Sequence, residues 1–231
     1  MTDLPTINIG VPTLSRYDLL SRFCKAFAEE ECPCVIPSIT ILDNGGKFAG
    51  SPEAKALAQK PNLPSISIVT SPYNLGVARS FNWFATNLGA CIIAGDDTII
   101  SSRTIKAFLD ARNNSPDAII IGHDHPTESL AVMMLAKPDE WLQMGGFDEC
   151  FYPAYFEDND ARHRLALAGK SIVTIQAPDW HHDNSSTLAA GSSEYQRNHW
   201  GSFHRNQLYY EKKWGGSPGG EQFSTPFNSR E

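Results

Sequence analysis

Short apolar runs alternate with amphipathic segments along the first half of the chain, and each change of period marks an expected element. Ile7 to Val11 is a β-prone run broken by Pro12. The spacing of Leu19, Leu20, Phe23 and Phe27 then predicts a helix capped by Ser15. Ser38 to Leu42 reads as a second strand ending in Asp43-Asn44-Gly45-Gly46. Ser51-Pro52-Glu53 reads as the N-cap, first-turn proline and first-turn acid of a second helix. Ser65 to Val69 follows as a strand. After Asn74-Leu75-Gly76, Val77, Phe81, Phe84 and Leu88 share one helical face. A helix over Ser102 to Arg112, with Ile105, Phe108 and Leu109 inward, and a strand over Ala118 to Ile121 continue the alternation. Strand and helix in turn predict a wound α/β sheet with helices on both faces.

The second half is less regular. Leu130 to Leu135 and Lys170 to Ile175 are expected strands, and Pro138 to Met144 a short helix before a Gly145-Gly146 turn. Glu157 opens a helix that runs through Leu165 and Leu167 and stops at Gly169. A long helix is expected over Ser192 to Trp214, with Trp200, Phe203, Tyr210 and Trp214 along one face. The Gly- and Pro-rich tail from Ser217 is either a strap over the domain or disordered.

The stretch Cys91 to Ile100 has a different character: an apolar run that ends in adjacent acids, Asp96 and Asp97. It reads as a strand buried on both faces, with the acids where it emerges. Ligands bind at the carboxyl ends of strands in such sheets. Neighbouring residues on extended chain face opposite ways, so one acid can meet a metal and the other a sugar hydroxyl. The plainer alternative is that both acids stop the strand and cap the next helix.

Composition narrows the class. The chain has 231 residues, 41% of them hydrophobic, enough for one large domain. A net charge of −7 and a pI near 5.5 argue against broad phosphate electrostatics. Five cysteines without a regular framework read as reduced thiols, hence a cytoplasmic setting. The N-terminus lacks the pattern of a leader, and no stretch reaches the apolar length of a membrane span.

The dinucleotide fingerprint and the phosphate-binding P-loop are both absent. A nucleotide site can instead form at the strand ends from Thr13, Arg16, Asp43 and Arg79, since an aspartate accepts the N3 proton of uracil and an arginine meets phosphate. Asp43-Asn44-Gly45 is equally a common turn. Glu157, Asp158 and Asp160 form a second acidic group, whose plain account is favourable charge at a helix N-terminus. Repulsion and burial together would raise a carboxylate pKa toward that of a general base. His181-His182 can join a carboxylate around a divalent ion. His123-Asp124-His125 is a looser candidate triplet, with a turn before Pro126 as the alternative. Two rival readings use the same residues: a hydrolase with a two-ion site from Asp96, Asp97, His123, His125 and His181, and a non-catalytic nucleotide- or sugar-binding domain.

Taken in order, Ile9 to Thr13, Ile41 to Asn44, Asn74 to Asn82, Gly95 to Asp97, Gly145 to Glu149, and Glu157 to Asp160 with Arg164 resemble a family 2 glycosyltransferase with the GT-A fold. That resemblance, over about Ile7 to Ser186, implies a mixed, mostly parallel, Rossmann-like sheet flanked by helices, with a C-terminal helical and aromatic extension. It implies a GT-A domain over 1–190, with a nucleotide-sugar half to about 122 and an acceptor half beyond, and a helix and tail over 191–231 packed on it. Nucleotide and donor contacts fall to Pro12, Thr13, Arg16, Asp43, Asn74, Gly76, Arg79 and Asp96. Asp43 is expected to read the base and Asp96 to approach the ribose. Gly145 to Asp148, including Gly146 and Phe147, and Glu157 would border the donor sugar and acceptor. Asp97, with His182 or His181, would hold Mn2+ or Mg2+, and Asp158 would be the general base of an inverting transfer. The implied donor is a UDP- or dTDP-sugar, with GDP as the alternative. The implied acceptor is a glycan, a lipid-linked glycan, a protein or a modified nucleic-acid base. The chain departs from the family pattern in Gly95-Asp96-Asp97 and in Leu14, where an Asn or Tyr is common.

Overall fold

A computed structural model describes residues 4–30, 33–123, 132–176, 181–182 and 192–229. The β-branched runs form the strands for the reason their pattern suggests: both of their faces are covered. In β1 (Thr6–Thr13), Ile9 and Val11 have no exposed surface. In β4 (Cys91–Ala94), Ile92 and Ala94 pack into one apolar cluster and Cys91 and Ile93 into another, because alternate side chains leave a strand on opposite sides.

β1 lies at the middle of a parallel group, flanked by β2 (Ile36–Asp43) and β4, with β3 (Ser65–Thr70) outside β2. Beyond β4 come β7 (Val132–Leu135), β6 (Ile119–His123) and β8 (Ile172–Gln176), completing a seven-stranded sheet in the order β3-β2-β1-β4-β7-β6-β8. β7 is antiparallel to both neighbours, while β6 and β8 pair in parallel. The sheet is therefore mixed and mostly parallel, as expected. One face is covered by α1 (Tyr17–Ala28), α2 (Pro52–Ala58) and α4 (Ser102–Asn114) through Leu20, Phe23, Leu57, Ile105 and Phe108. The other is covered by α3 (Gly76–Asn87), α5 (Pro138–Gln143) and α6 (Glu157–Leu167) through Phe81, Phe84, Trp141 and Leu165.

Several boundaries follow the sequence signals. Ser51 caps α2 by accepting from the Ala54 amide at 3.1 Å, and α6 gives way at Gly169, with the Lys170 amide closing on the Leu165 carbonyl at 2.9 Å. Others differ. Ser15 does not cap α1; the Leu19 and Leu20 amides both reach the Arg16 carbonyl at 3.1 Å, so the helix begins one residue later than a Ser15 cap requires. The apolar run at Cys91 is broken at Gly95, and Asp96 and Asp97 lie in a turn before the short strand β5 (Thr98–Ile99). On α3 the buried stripe runs through Ala78, Phe81, Phe84 and Ala85, with Val77 and Leu88 at its margins. Residues 130–131 of one expected strand lie outside the described residues.

The long helix α7 (Ser193–Trp214) turns Phe203, Tyr210 and Trp214 of the expected stripe inward but leaves Trp200 out. Ser202, Asn206, Tyr210, Lys213 and Trp214 are buried, whereas Trp200 is 57% exposed. Tyr210 and Trp214 join Phe151 and Phe156 in a third apolar cluster. The tail is a strap, its Gln222 and Phe223 amides both donating to the Trp214 carbonyl.

Gly10, at the centre of β1, touches the second face closely: an added Cβ would lie 2.5 Å from the Phe84 ring, itself fully buried. Gly10→Ala is expected to destabilise the fold by about 1–3 kcal/mol through overpacking. Phe84→Leu in the same chain should recover part of the loss, as read by denaturant unfolding of the single and double variants.

Candidate active site

The carboxyl ends of β1, β2 and β4 lie side by side at one end of the sheet. Thr13, the last residue of β1, donates through Oγ1 to Asp96 Oδ2 at 2.7 Å, fastening the acidic turn to the neighbouring strand. Desolvation above all lifts the Asp96 carboxyl to about 7; the Thr13 bond and Arg16 oppose this and the Asp97 charge adds to it. Arg16, held by Asp18 through Nε and Nη2 at 2.9 and 2.7 Å, also feels both Asp96 and Asp97. Neither acid caps α4: that task falls to Ser101, which accepts from the Thr104 amide at 3.2 Å. β5 pairs antiparallel with β9 (His181–His182), Thr98 opposite His182 and Ile99 opposite His181. The late histidines thus lie in register with the residues that immediately follow Asp97. The side chains of His123, His181 and His182, and all of His125 and Trp180, lie outside the described residues. Among the described residues, no three metal-ligating side chains converge.

Asp43 has no exposed surface. Its Oδ1 accepts from the Gly45 and Gly46 amides at 3.1 and 2.9 Å and from the Tyr17 hydroxyl at 3.1 Å, and Oδ2 accepts from the Phe48 amide at 2.7 Å. The carboxylate is committed to shaping its own turn. Asn44 carries the turn across to α3, accepting from the Leu75 amide at 3.1 Å and donating to Ser80 Oγ at 2.9 Å. Asn74 accepts from the Gly76 amide at 2.9 Å. Gly76 is required here on two counts. Its φ is +74°, and a Cβ would fall 2.7 Å from the Pro153 carbonyl oxygen, which also accepts from the Val77 amide at 2.8 Å. Pro12 sits half-buried on β1 opposite Leu42.

The face of α3 below this point is sewn to the Gly145–Glu149 segment. The Asn82 side chain forms two hydrogen bonds with the Phe147 main chain, donating to its carbonyl at 2.9 Å and accepting from its amide at 2.8 Å. Arg79 donates to Glu149 at 2.8 Å, with both side chains half exposed. The Phe147 ring does not border an open site; it packs edge-on against Phe81 and Trp141 in the core, so a lining role at this position falls to its backbone. Arg164 completes the seam, donating to the Met144 and Gly146 carbonyls while its Nε meets Asp160 Oδ2 at 2.8 Å.

Glu157 and Asp158 open α6. Glu157 is 8% exposed, and its Oε2 has no hydrogen-bond partner among the described residues. Desolvation, with the Asp158 charge adding to it, pushes the Glu157 carboxyl well up; desolvation likewise raises Asp158, against the pull of the Asn159 amide at 2.8 Å and the charge of Arg162. Asp148 goes the other way. Although desolvation opposes ionisation there, Lys213 Nζ at 2.7 Å and Tyr209 Oη at 3.0 Å hold it below its ordinary value. Lys213 also meets Asp160 Oδ1 at 2.6 Å. Asp160 and Arg164 belong to a motif quoted above. Tyr209 and Lys213 belong to a helix read only for its aromatic spacing, and nothing in that spacing points to them.

With its single reversed strand and acidic turn at the strand ends, this sheet has the architecture of the GT-A glycosyltransferase fold. Solved structures that share it include S. aureus TarS 1-349 in complex with UDP-GlcNAc, at a TM-score of 0.61 and 11% identity over 90% of this chain and 66% of that one. The mannosyltransferase PcManGT from Pyrobaculum calidifontis, in complex with GDP-Man and Mn2+, superposes at 0.59 and 13% identity over 76% of this chain and 56% of that one. GalNAc-T7 with UDP, GalNAc and Mn2+ superposes at 0.61 and 8% identity over 91% and 51%. The chain thus spans between about half and two thirds of the length of these proteins. No protein-family model matches the sequence, nor does any curated protein.

Glu157 carries a pH prediction. Its folded pKa lies above the ordinary 4.5, so the folded protein binds this proton more tightly than the unfolded chain. The cost of burying the group is absent at low pH and grows as pH rises from 4.5 toward the raised value. Glu157→Gln should therefore be near neutral at pH ~4.5 and raise Tm at pH ~8, by about 2–4 °C for each kcal/mol relieved. Thermal unfolding across pH checks this.

Proposed function

We propose that the chain is a family 2-like glycosyltransferase that moves a sugar from a nucleoside-diphosphate sugar to an acceptor hydroxyl, with a divalent cation and with inversion at the anomeric carbon. The observation that carries this reading is the strand-end arrangement on the GT-A fold. Thr13 grips Asp96, and the β5–β9 pairing sets the late histidines beside the residues following Asp97. The structures with the same fold contain UDP-GlcNAc, GDP-Man or UDP, which supports a donor of the uridine or guanosine diphosphate class. The free thiols of Cys24, Cys34, Cys91 and Cys150 favour a cytoplasmic setting. No helix among the described residues is long and apolar enough to cross a membrane. In this reading 1–190 is the transferase domain, its nucleotide half ending near 122, and 191–231 packs on it.

The residues present suit a cation. Desolvation, with the Asp97 charge adding to it, holds Asp96 up to about 7, a cost that a positive ion would offset. Carboxylate oxygen with imidazole is a donor set for Mn2+ or Mg2+. Asp97 and His182, or His181 beside it, would hold the ion, which would neutralise charge on the departing diphosphate. Asp96, fixed by Thr13, is left to meet the ribose. Asp43, enclosed and fully bonded, shapes the turn that would border the base instead of touching it, with Arg16, Asn74, Gly76 and Arg79 around the diphosphate. The Gly146–Asp148 backbone borders the donor sugar.

Asp158 accepts the acceptor hydroxyl proton as the new bond forms. Its raised pKa makes it a better base than a solvated aspartate. Glu157, protonated beside it, avoids placing a second negative charge in the same site.

Thermal shift with UDP, dTDP and GDP, each with and without Mn2+, tests the donor half. Stabilisation that needs metal and is lost in Asp97→Ala is expected; no shift with any of the three nucleotides would sink the proposal. Asp158→Asn is expected to keep the nucleotide shift and to reduce transfer by about 10²–10⁴-fold. Near-normal turnover in that variant would remove Asp158 from the role of base.

A further inference from the structure

The two residues before the acid pair have a backbone that aromatic side chains rarely adopt. Tyr155 and Phe156 have φ of +77° and +72°, in succession, and Phe156 stands at the N-cap of α6 with no side-chain cap. A bulky residue with positive φ is an outlier, and such strain persists only where the surroundings over-determine it. Here the surroundings come from α7. Asn206, 4% exposed, donates through Nδ2 to the Ala154 carbonyl at 2.8 Å and, less closely, to the Tyr155 carbonyl at 3.3 Å. The Tyr155 ring stands edge-on between His199 at 4.9 Å and Phe203 at 5.3 Å. The Phe156 ring lies against Phe203 and Tyr210. The backbone leaving this corner enters Glu157 with its carboxyl turned inward and Oε2 unpartnered.

We propose that Asn206 is a positioning residue for the acid pair: by gripping the carbonyls of Ala154 and Tyr155 it holds the left-handed corner that keeps Glu157 buried and Asp158 aimed at the site. The functional side of this rests on the reading of Asp158 as the base; the geometric side does not. A left-handed corner turns the chain abruptly, so relaxing either φ to its ordinary sign swings the first turn of α6 away from α7. Asn206 thereby acts on the chemistry from the C-terminal helix without meeting substrate. Among the described residues, the following charged and titratable groups act on or feel the pair. Glu157 and Asp158 face each other, Arg162 lies on their own helix, and Tyr210 of α7, bound to Glu221 of the strap, feels the Asp158 charge.

The test compares thermal unfolding of the full chain at pH 5 and pH 8 for the wild type, Asn206→Ala, Glu157→Gln and the double variant. If Asn206 holds the pair buried, its loss lets Glu157 reach water. The Tm deficit of Asn206→Ala is then smaller at pH 8 than at pH 5 by about 2 °C or more, and this difference vanishes in the Glu157→Gln background. Equal deficits at both pH values overturn the proposal, since a purely structural asparagine lowers Tm without regard to pH. Asn206→Ser serves as the milder variant if the alanine chain does not fold. Tyr155→Gly supplies an independent arm: glycine accepts φ of +77° without steric cost, so adding it to Asn206→Ala restores the pH dependence toward wild type, and a failure to restore it counts against the proposal. UDP with Mn2+ on the same samples separates the two readings. Asn206→Ala keeps any wild-type shift, and selective loss of it overturns the positioning role. A wild type that binds none of UDP, dTDP and GDP rejects the transferase reading while the pH comparison still decides the role of Asn206.

Discussion

The Asp160 carboxylate has no exposed surface, and three side chains from two helices converge on it, two of them cations. Arg164 reaches it from the next turn of its own helix, Trp214 donates Nε1 at 2.9 Å, and Lys213 closes at 2.6 Å. A buried charge that loses a partner costs about 3–5 kcal/mol, so these groups are compelled to stay together. The consequences spread outward. Arg164 spends its remaining donors on the Met144 and Gly146 carbonyls, fixing the glycine turn, and Lys213 extends to Asp148 at the far side of that turn. One fully buried anion therefore sets the relation between the turn expected to border the sugar, the helix that carries the acid pair, and the C-terminal helix that backs both.

The two halves are built on different physics. At the end proposed for the nucleotide the organising groups are amides gathered by one buried acid, Asp43, together with Asn44 and Asn74 at the junction of turn and helix. At the other end they are paired charges over aromatic rings, with Lys213 Nζ 5.7 Å from the Phe151 ring and 5.3 Å from that of Trp214. Asp96 and Asp97 stand between, in a turn whose charge is felt by Arg16.

Much of this was legible in the sequence, because the strands and the first helices are written in local patterns. Ile92 and Ile93 are apolar on opposite faces, a run that a sheet covered on both sides accommodates. Ser51 and Gly169 declare their helix ends through chemistry confined to a few residues. What was hidden is of longer range. Ser15 has the composition of a cap, yet the first carbonyl to be used belongs to Arg16, a choice made by how the chain leaves β1. Trp200 fits an aromatic stripe by spacing, but the face of α7 is chosen by Phe156, Asp148 and Asp160, far away in sequence. The carboxylates of the candidate site could be named from their order along the chain. Some neighbours that act on them, Thr13, Arg16 and Arg164, could be named too, but others could not: Asn206, Tyr209 and Lys213 act across dozens of residues, and the β5–β9 pairing is two residues long. No periodicity announces such contacts.

The seam between α3 and the Gly145–Glu149 segment combines fastenings with unlike sensitivities. Asn82 and Phe147 are joined by neutral amides behind a buried ring, bonds that carry no net charge for salt to screen, and the same Nδ2 also reaches Glu149 Oε1 at 3.1 Å. Alongside it, Arg79 and Glu149 are joined by charge at a half-exposed position, where mobile ions compete with the pair. Salt can therefore free the arginine while the segment itself stays registered. A guanidinium parked on an acid beside the expected diphosphate position is a cation held in reserve, available to whichever anion competes best for it.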